Sequence, residues 1–241
     1  MTAFCLGTWQ VNRLGWKTDL IAKYEERLIR PPLPLPPRID PSAIADFDYR
    51  RVTATGRFRH DKEMLVGPRL RDGQDGFLVV TPLERPGDGG STILVNRGWI
   101  SKAKAEQAVR AAAGGPEALP TGDVSVLGLL RVPWRRNAFT PVNNPAAGKW
   151  YFPDVQEMAA AAGAEPVWVE EVMNVGLMEG YRREEAGIPI GRPAEVNLRN
   201  NHAQYIFTWY ALSAATAAMF FMIAKSPRGG VNAAVKRSVS W

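Results

Sequence analysis

Cysteine is all but missing, since Cys5 is the sole one in 241 residues. An intrachain disulfide is therefore impossible, and so is a thiolate-rich zinc or copper site. Histidine is nearly as scarce, with only His60 and His202, which argues against a multi-histidine metal centre. The glycine-bearing loops Gly67-Pro68-Arg69 and Gly87-Asp88-Gly89-Gly90 are not followed by Gly-Lys-Ser/Thr, so neither is a phosphate cradle. The formal charge is +6, yet no run of five basic residues and no zinc-finger spacing occurs. Nucleic acid is therefore not an expected partner. Pairs such as Arg50-Arg51, Arg135-Arg136 and Arg182-Arg183 read as solvated surface, as do the paired acids Asp46/Asp48, Glu170/Glu171 and Glu184/Glu185. No nucleophile or metal set accompanies those acids, and the chain is not expected to be an enzyme. Met1–Leu6 is too short for the apolar core of a secretory signal.

One long apolar run is present. Tyr205–Ala224 reads YIFTWYALSAATAAMFFMIA and carries no charge, and its length matches the roughly twenty residues that cross a bilayer core. In lipid such a segment must be helical, because every backbone group needs an internal partner. Tyr205, Trp209 and Tyr210 suit an interfacial aromatic belt, and Ala211, Ser213, Ala214, Ala215, Ala217 and Ala218 permit close approach by another helix. The mean hydropathy of -0.20 excludes a polytopic membrane protein but leaves room for a soluble domain with one or two spans. After the span, Lys225, Arg228, Lys236 and Arg237 occur without an acid. The positive-inside rule puts that tail on the cytoplasmic or matrix side and the large preceding region opposite.

At the other end, Phe4-Cys5-Leu6-Gly7 is apolar and runs into Trp9, Gln10, Arg13, Trp16 and Lys17, an interfacial mixture of aromatic and basic residues. Leu14, Ile21, Tyr24 and Leu28 are near helical spacing, and the Pro31–Pro37 run ends that helix and continues as a stiff extended connector. The middle carries short β-rich runs at Tyr49–Phe58, Glu63–Gly67, Phe77–Glu84, Thr92–Ile100, Val124–Arg131 and Pro166–Val172, with Arg85–Ser91 as a hairpin loop. Helices are expected at Pro153–Gly163 and, exposed, at Lys102–Ala113, with Gly114–Asp123 a loop. The fold class is α+β, mainly an antiparallel sheet or partly open β-barrel, with a C-terminal transmembrane helix. The expected organisation is 9–30 interfacial helix, 31–45 Pro-rich connector, 46–200 β-rich domain, 201–224 transmembrane helix and 225–241 basic tail.

Six segments together resemble the surfeit locus protein 1 family, whose yeast members are called Shy proteins. They are Leu6–Leu28 (LGTWQVNRLGWKTDLIAKYEERL), Asp48–His60 (DYRRVTATGRFRH), Gly76–Pro82 (GFLVVTP), Val95–Ile100 (VNRGWI), Trp150–Pro153 (WYFP) and Asn197–Ala215 (NLRNNHAQYIFTWYALSAA). They cover nearly the whole chain in the family's order, and the first and last look more mitochondrial than bacterial. The resemblance implies two transmembrane helices joined by a mostly β domain in the intermembrane space, with 1–8 the remnant of a truncated first one. It implies residence in the mitochondrial inner membrane, with the C-terminus in the matrix. It implies a role in assembling cytochrome c oxidase, around maturation of its largest, haem-bearing subunit. That subunit, other assembly factors and inner-membrane lipid are the implied partners.

The same resemblance makes His202 the sharpest candidate. It lies three residues before the apolar run; the family's histidine at that place is the proposed haem ligand in bacterial members, and imidazole is a common axial ligand of haem iron. The implied cofactor is haem a, with Gln10, Arg13, Trp9 and Trp209 around it, arginine suiting the propionates and aromatic rings the macrocycle. The competing reading is an interfacial histidine within an ordinary belt, and a cofactor-free scaffold that stabilises oxidase assembly intermediates. Asn96-Arg97-Gly98-Trp99 reads either as a partner or propionate surface or as structural, with Gly98 in an unusual backbone conformation and Trp99 in the core. Gly56 reads as a bulge or close approach.

Overall fold

The computed structural model describes residues 1–87 and 90–225. The helices are α1 (Thr2–Ile29), α2 (Gln107–Ala118), α3 (Val155–Ala162), α4 (Leu177–Ala186) and α5 (His202–Lys225). The strands are β1 (Leu33–Pro34), β2 (Arg50–Phe58), β3 (Met64–Arg71), β4 (Gln74–Glu84), β5 (Ile93–Ser101), β6 (Asp123–Arg131) and β7 (Trp168–Glu171). Two compact units result, one from Met1–Ala22 with the chain from Asn197 onward, the other from Lys23–Val196.

The larger unit is a barrel. Its sheet runs β1-β2-β6-β7-β5-β4-β3, and β2 also pairs with β4 at Arg57↔Glu84 and Phe58↔Leu83. Strands β2, β6, β7, β5 and β4 thus form a closed ring, which removes most exposed sheet edge. Closure requires β2 to pass close to β4, and Gly56 permits it: a Cβ there would lie 2.4 Å from the Glu84 carbonyl oxygen. Most pairings are antiparallel, as expected, but β1–β2 and β5–β7 are parallel.

Strand periodicity divides the core in two. Val52, Ala54, Leu83, Ile93, Val95, Val126, Leu130 and Val169 cluster with Ile44 and Val167. Alternate residues Met64, Val66, Val80, Leu94 and Trp168 pack instead with Trp150 and with Val155, Met158, Ala159 and Ala162 of α3. β5 is therefore buried on both faces from Ile93 to Ile100, its apolar ends Ile93–Val95 and Trp99–Ile100 enclosing the buried polar pair Asn96-Arg97. Helix α3 has the expected ends: the Asp154 side chain accepts from the Glu157 amide, and Gly163 closes it in the left-handed region.

Several expectations need correction. The helix expected at Lys102–Ala113 begins later, because Lys102–Lys104 forms a 3-10 turn and Glu106 stays extended. It then runs on into the expected loop, turning at Gly115 (φ 51°). Nor is it wholly exposed, since Arg110 is fully buried and pairs with Glu63 through two guanidinium nitrogens. β3 extends beyond Gly67, with a register shift between Val66 and Arg69 that accommodates Pro68. β7 is shorter than Pro166–Val172. α4, with few core-facing apolar residues, was not expected.

The Pro-rich segment is extended but also pinned. Its prolines offer no N–H groups, and Arg85 donates to the carbonyls of Pro36 (2.7 Å) and Pro37 (2.6 Å) and of Ser91 (2.9 Å). It is followed by a 3-10 helix at Pro41–Phe47, whose Ile44 enters the core. Arg50 and Arg51 are not merely solvated: they donate to the carbonyls of Arg27 (3.2 Å) and Arg30 (3.0 Å), capping the C-terminus of α1 where the helix dipole favours cations. Asp48 and Glu170 are buried as well. Arg131 bridges them at 3.1 and 3.2 Å, and Arg192 reaches Glu170 at 2.8 Å. Paired acids on the sequence are here members of an internal ion network.

Asn96-Arg97-Gly98-Trp99 is structural. Asn96 Oδ1 accepts from the Gly98 amide at 3.1 Å, and Trp99 Nε1 donates to the Arg69 carbonyl at 3.0 Å. Gly98 has φ 118°, and a Cβ there would lie 2.1 Å from the Ile190 carbonyl oxygen. Burial pushes the Arg97 pKa down, while the acids Glu171 and Glu63 counter it. Of the basic tail, only Lys225 falls among the described residues; Arg228, Lys236 and Arg237 lie outside them.

Candidate functional site

The smaller unit is a helix pair. α5 has 24 residues, about 36 Å at the standard rise, against a hydrocarbon core of about 30 Å. It is long and apolar enough to cross a membrane, and none of its residues is buried. Phe207, Met219, Phe220, Phe221, Met222 and Ile223 all project outward, a surface that water would not tolerate and lipid would.

The N-terminal part of α1 runs antiparallel to α5. Phe4 and Gly7 meet Tyr210, whereas Gln10, further along α1, meets His202, earlier on α5. Gly7 lets the helices approach: a Cβ there would fall 2.9 Å from the Tyr210 ring. Beside it Thr8 Oγ1 and Tyr210 Oη share a hydrogen bond at 3.1 Å. Gly7 and Gln10 are the two buried residues of α1, spaced so that they share one face.

At the top of this contact His202 Nδ1 lies 2.6 Å from Gln10 Oε1. An amide oxygen only accepts, so Nδ1 carries the proton. Nε2 is then the nitrogen with a free lone pair, and it has no protein partner among the described residues. This is the arrangement by which a hydrogen bond to one imidazole nitrogen orients a ring whose other nitrogen ligates a metal. A buried, apolar-flanked amide such as Gln10, 9% exposed, would be costly without that bond.

The remaining candidates divide. Trp209 is half-buried and, seven residues on, shares the face of His202 two turns away. Arg13 lies across the rings of Trp16 (4.3 Å) and Trp9 (6.0 Å) rather than on His202, an exposed cation–aromatic stack suited to an interface. One oriented imidazole can supply a single ligand nitrogen, and exposed Arg13 can pair with an anionic group. No group of three or more His, Cys, Asp or Glu that would hold a bare metal ion occurs among the described residues. Gly7 and Tyr210 belong to the same constellation; the sequence signal for Gly7 was its three-residue spacing from Gln10.

Comparison with known proteins agrees with the six segments. The model of the SURF1 family matches residues 1–214. Surfeit locus protein 1 of Homo sapiens is 39% identical over 236 residues, covering 92% of this chain and 73% of that protein. The Cytochrome oxidase assembly protein SHY1 of Saccharomyces cerevisiae is 32% identical over 291 residues, covering 95% of this chain and 74% of that protein. A SURF1-like protein of Monosiga brevicollis is 38% identical over 240 residues, covering 95% and 85%. With its family model matched over most of its length and relatives at this identity, the chain belongs to the SURF1 family.

Proposed function

We propose that this chain is an assembly factor for cytochrome c oxidase in the mitochondrial inner membrane, acting by binding and holding rather than by catalysis. Its family and its likeness to the yeast assembly protein support that role. α5 crosses the membrane, the β domain stands in the intermembrane space and the C-terminus in the matrix, an orientation supported by the acid-free basic tail.

In this reading the cargo is haem a, on its way to the largest oxidase subunit. The observation that carries it is the His202–Gln10 bond, which leaves Nε2 as the free ligand nitrogen at the head of the membrane helix. Gln10 holds the tautomer and the ring orientation. Arg13, beside Trp9 and Trp16, would pair with the anionic propionates, and Trp209 lies along the same face of α5 as His202. One axial ligand suits a carrier that must release its cargo, since a second protein ligand would slow transfer. Optical titration of haem a into the detergent-purified full chain tests it. A ligated spectrum lost in His202→Ala is expected, and an unchanged spectrum in that variant would overturn it.

A second reading rests on the exposed small residues of α5, Ala211, Ala214, Ala215, Ala217 and Ala218. They offer a flat face for a transmembrane helix of an oxidase intermediate, with no cofactor involved. No specific haem spectrum in wild type would favour it.

A further inference from the structure

The segment between β6 and α3 is not used by any of the above, and its chemistry is distinctive. From Val132 to Lys149 it holds Arg135, Arg136 and Lys149 and no acid. Nearly every residue in it is exposed, including Phe139 at 94% and Val142 at 75%. A large aromatic left in water this completely is unusual beside a well-packed core.

The segment is nonetheless built. Its start is tied down by Trp134, whose ring meets Trp168 of β7 edge-on at 6.1 Å. Its tip is a tight turn: the Asn137 amide donates to Thr140 Oγ1 at 2.9 Å, the Phe139 amide to Asn137 Oδ1 at 2.9 Å, and the Thr140 amide to the Asn137 carbonyl at 3.0 Å. Its end is held by buried Asn143, which donates to the Phe152 carbonyl and to Glu157 and accepts from the Tyr151 and Phe152 amides. Asp154, 3.7 Å from Arg136, caps α3, and Glu157 is engaged by Asn143; Arg135 has no carboxylate partner among the described residues. The turn therefore presents Phe139 at fixed geometry, flanked by cations.

We infer that this turn is a second membrane contact, with Phe139 and Val142 entering the interface of an anionic bilayer while Arg135, Arg136 and Lys149 meet lipid phosphates. Aromatic and aliphatic side chains flanked by cations, without acids, are the composition of segments that lie in such interfaces. Charge complementarity selects the anionic lipid. The span at α5 keeps a bilayer within reach, so that even a weak contact is favoured by effective concentration. The inference goes beyond the proposed function and needs only that α5 spans a membrane.

The test uses the full chain in nanodiscs, with Cys5→Ser and Phe139→Cys carrying an environment-sensitive fluorophore. Recovery of the protein with the discs reports α5 insertion separately. In discs containing phosphatidylglycerol, the emission shifts to the blue and is quenched by shallow spin-labelled lipid; in phosphatidylcholine discs both effects fall. Arg135→Ala with Arg136→Ala weakens the turn's contact with lipid about thirtyfold, at about one kcal/mol per removed charge, read as loss of the blue shift and of quenching. A label that stays water-exposed in both lipids overturns the inference. So does quenching that is equal in both lipids, or shielding that appears only when an oxidase intermediate is added.

Discussion

His202 and Gln10 stand 192 positions apart in the chain and meet at 2.6 Å, imidazole Nδ1 to amide Oε1. The bond fixes which imidazole nitrogen is free, so the two residues act as a unit, and replacing either has a different signature. On the proposed haem reading, His202→Ala is expected to abolish the haem spectrum. Gln10→Leu leaves the ligand but frees its ring. By analogy with outer partners of metal-bound histidines it weakens haem a binding roughly 10- to 100-fold. Optical titrations of both variants check this, and nitrogen NMR of the histidine in haem-free protein should show loss of the single Nδ1–H tautomer in Gln10→Leu. Equal haem affinity in Gln10→Leu and wild type would mean the bond positions nothing.

Gly7 controls whether that bond forms. A side chain there would collide with the Tyr210 ring, its Cβ sitting 2.9 to 3.1 Å from three ring carbons. Gly7→Val forces the helices apart, at a cost of about 1–3 kcal/mol typical of overpacked contacts. The expected result is a lower unfolding midpoint of the helix pair in detergent and a haem affinity that falls with it. Gly15, with nothing within 4 Å of its Cβ position, is the matched control, and Gly15→Val should leave haem binding unchanged.

Much of this was legible from residue order, for reasons particular residues make plain. Strands such as β5 and β6 announce themselves because burial on a pleated surface demands β-branched runs. The apolar segment from Tyr205 announces itself because lipid forbids charge. His202 stood out as a lone histidine ahead of that segment. Gln10 stands among the candidates around it, but residue order ranks it only by the helix face it occupies and does not show that it bonds His202. The acids misled most. Glu170 and Asp48 look like any surface carboxylate until Arg131, on another strand, is brought between them. Likewise Arg110 in an Ala-rich helix gave no sign of its pairing with Glu63. Long-range ion pairs leave no local pattern, whereas strand alternation and helix caps do.

Gly56 is the residue on which barrel closure depends. It precedes the two positions where β2 pairs with β4, and the Glu84 carbonyl occupies the space a side chain would need. Since the obstruction is backbone, it cannot rotate away. Gly56→Ala should destabilise the β domain by about 1–3 kcal/mol, seen as a lower denaturant midpoint with the slope retained. The same change at Gly148, which is exposed with no atom within 4 Å of its Cβ position, costs only the strain of its left-handed φ of 65°. A smaller loss for Gly56→Ala than for Gly148→Ala would place barrel closure elsewhere.

Glu63 ties α2 to the barrel, and it does so as an anion. Burial alone would raise its pKa, but the nearby His60 imidazole at 4.0 Å, hydrogen bonds from Arg110 and Gln107 and the charge of Arg110 outweigh that and bring it to about 2, from an ordinary 4.5. A carboxylate with a depressed folded-state pKa contributes stability above its unfolded value, and the contribution is lost as pH falls from about 4.5 towards 2. A shift of this size corresponds to about 3 kcal/mol. Glu63→Gln deletes the anion while leaving Arg110 fully buried, a loss of about 3–5 kcal/mol at neutral pH. Denaturant unfolding of the full chain followed from pH 7 to below pH 2 reads both effects. Wild type should lose stability across the acid range, and Glu63→Gln should start lower and fall less. Parallel curves for the two proteins would show that the pairing with Arg110 contributes nothing to acid unfolding. Convergence at low pH is the expected result, because protonation of Glu63 in wild type then produces the same neutral partner for Arg110 that the substitution installs at every pH.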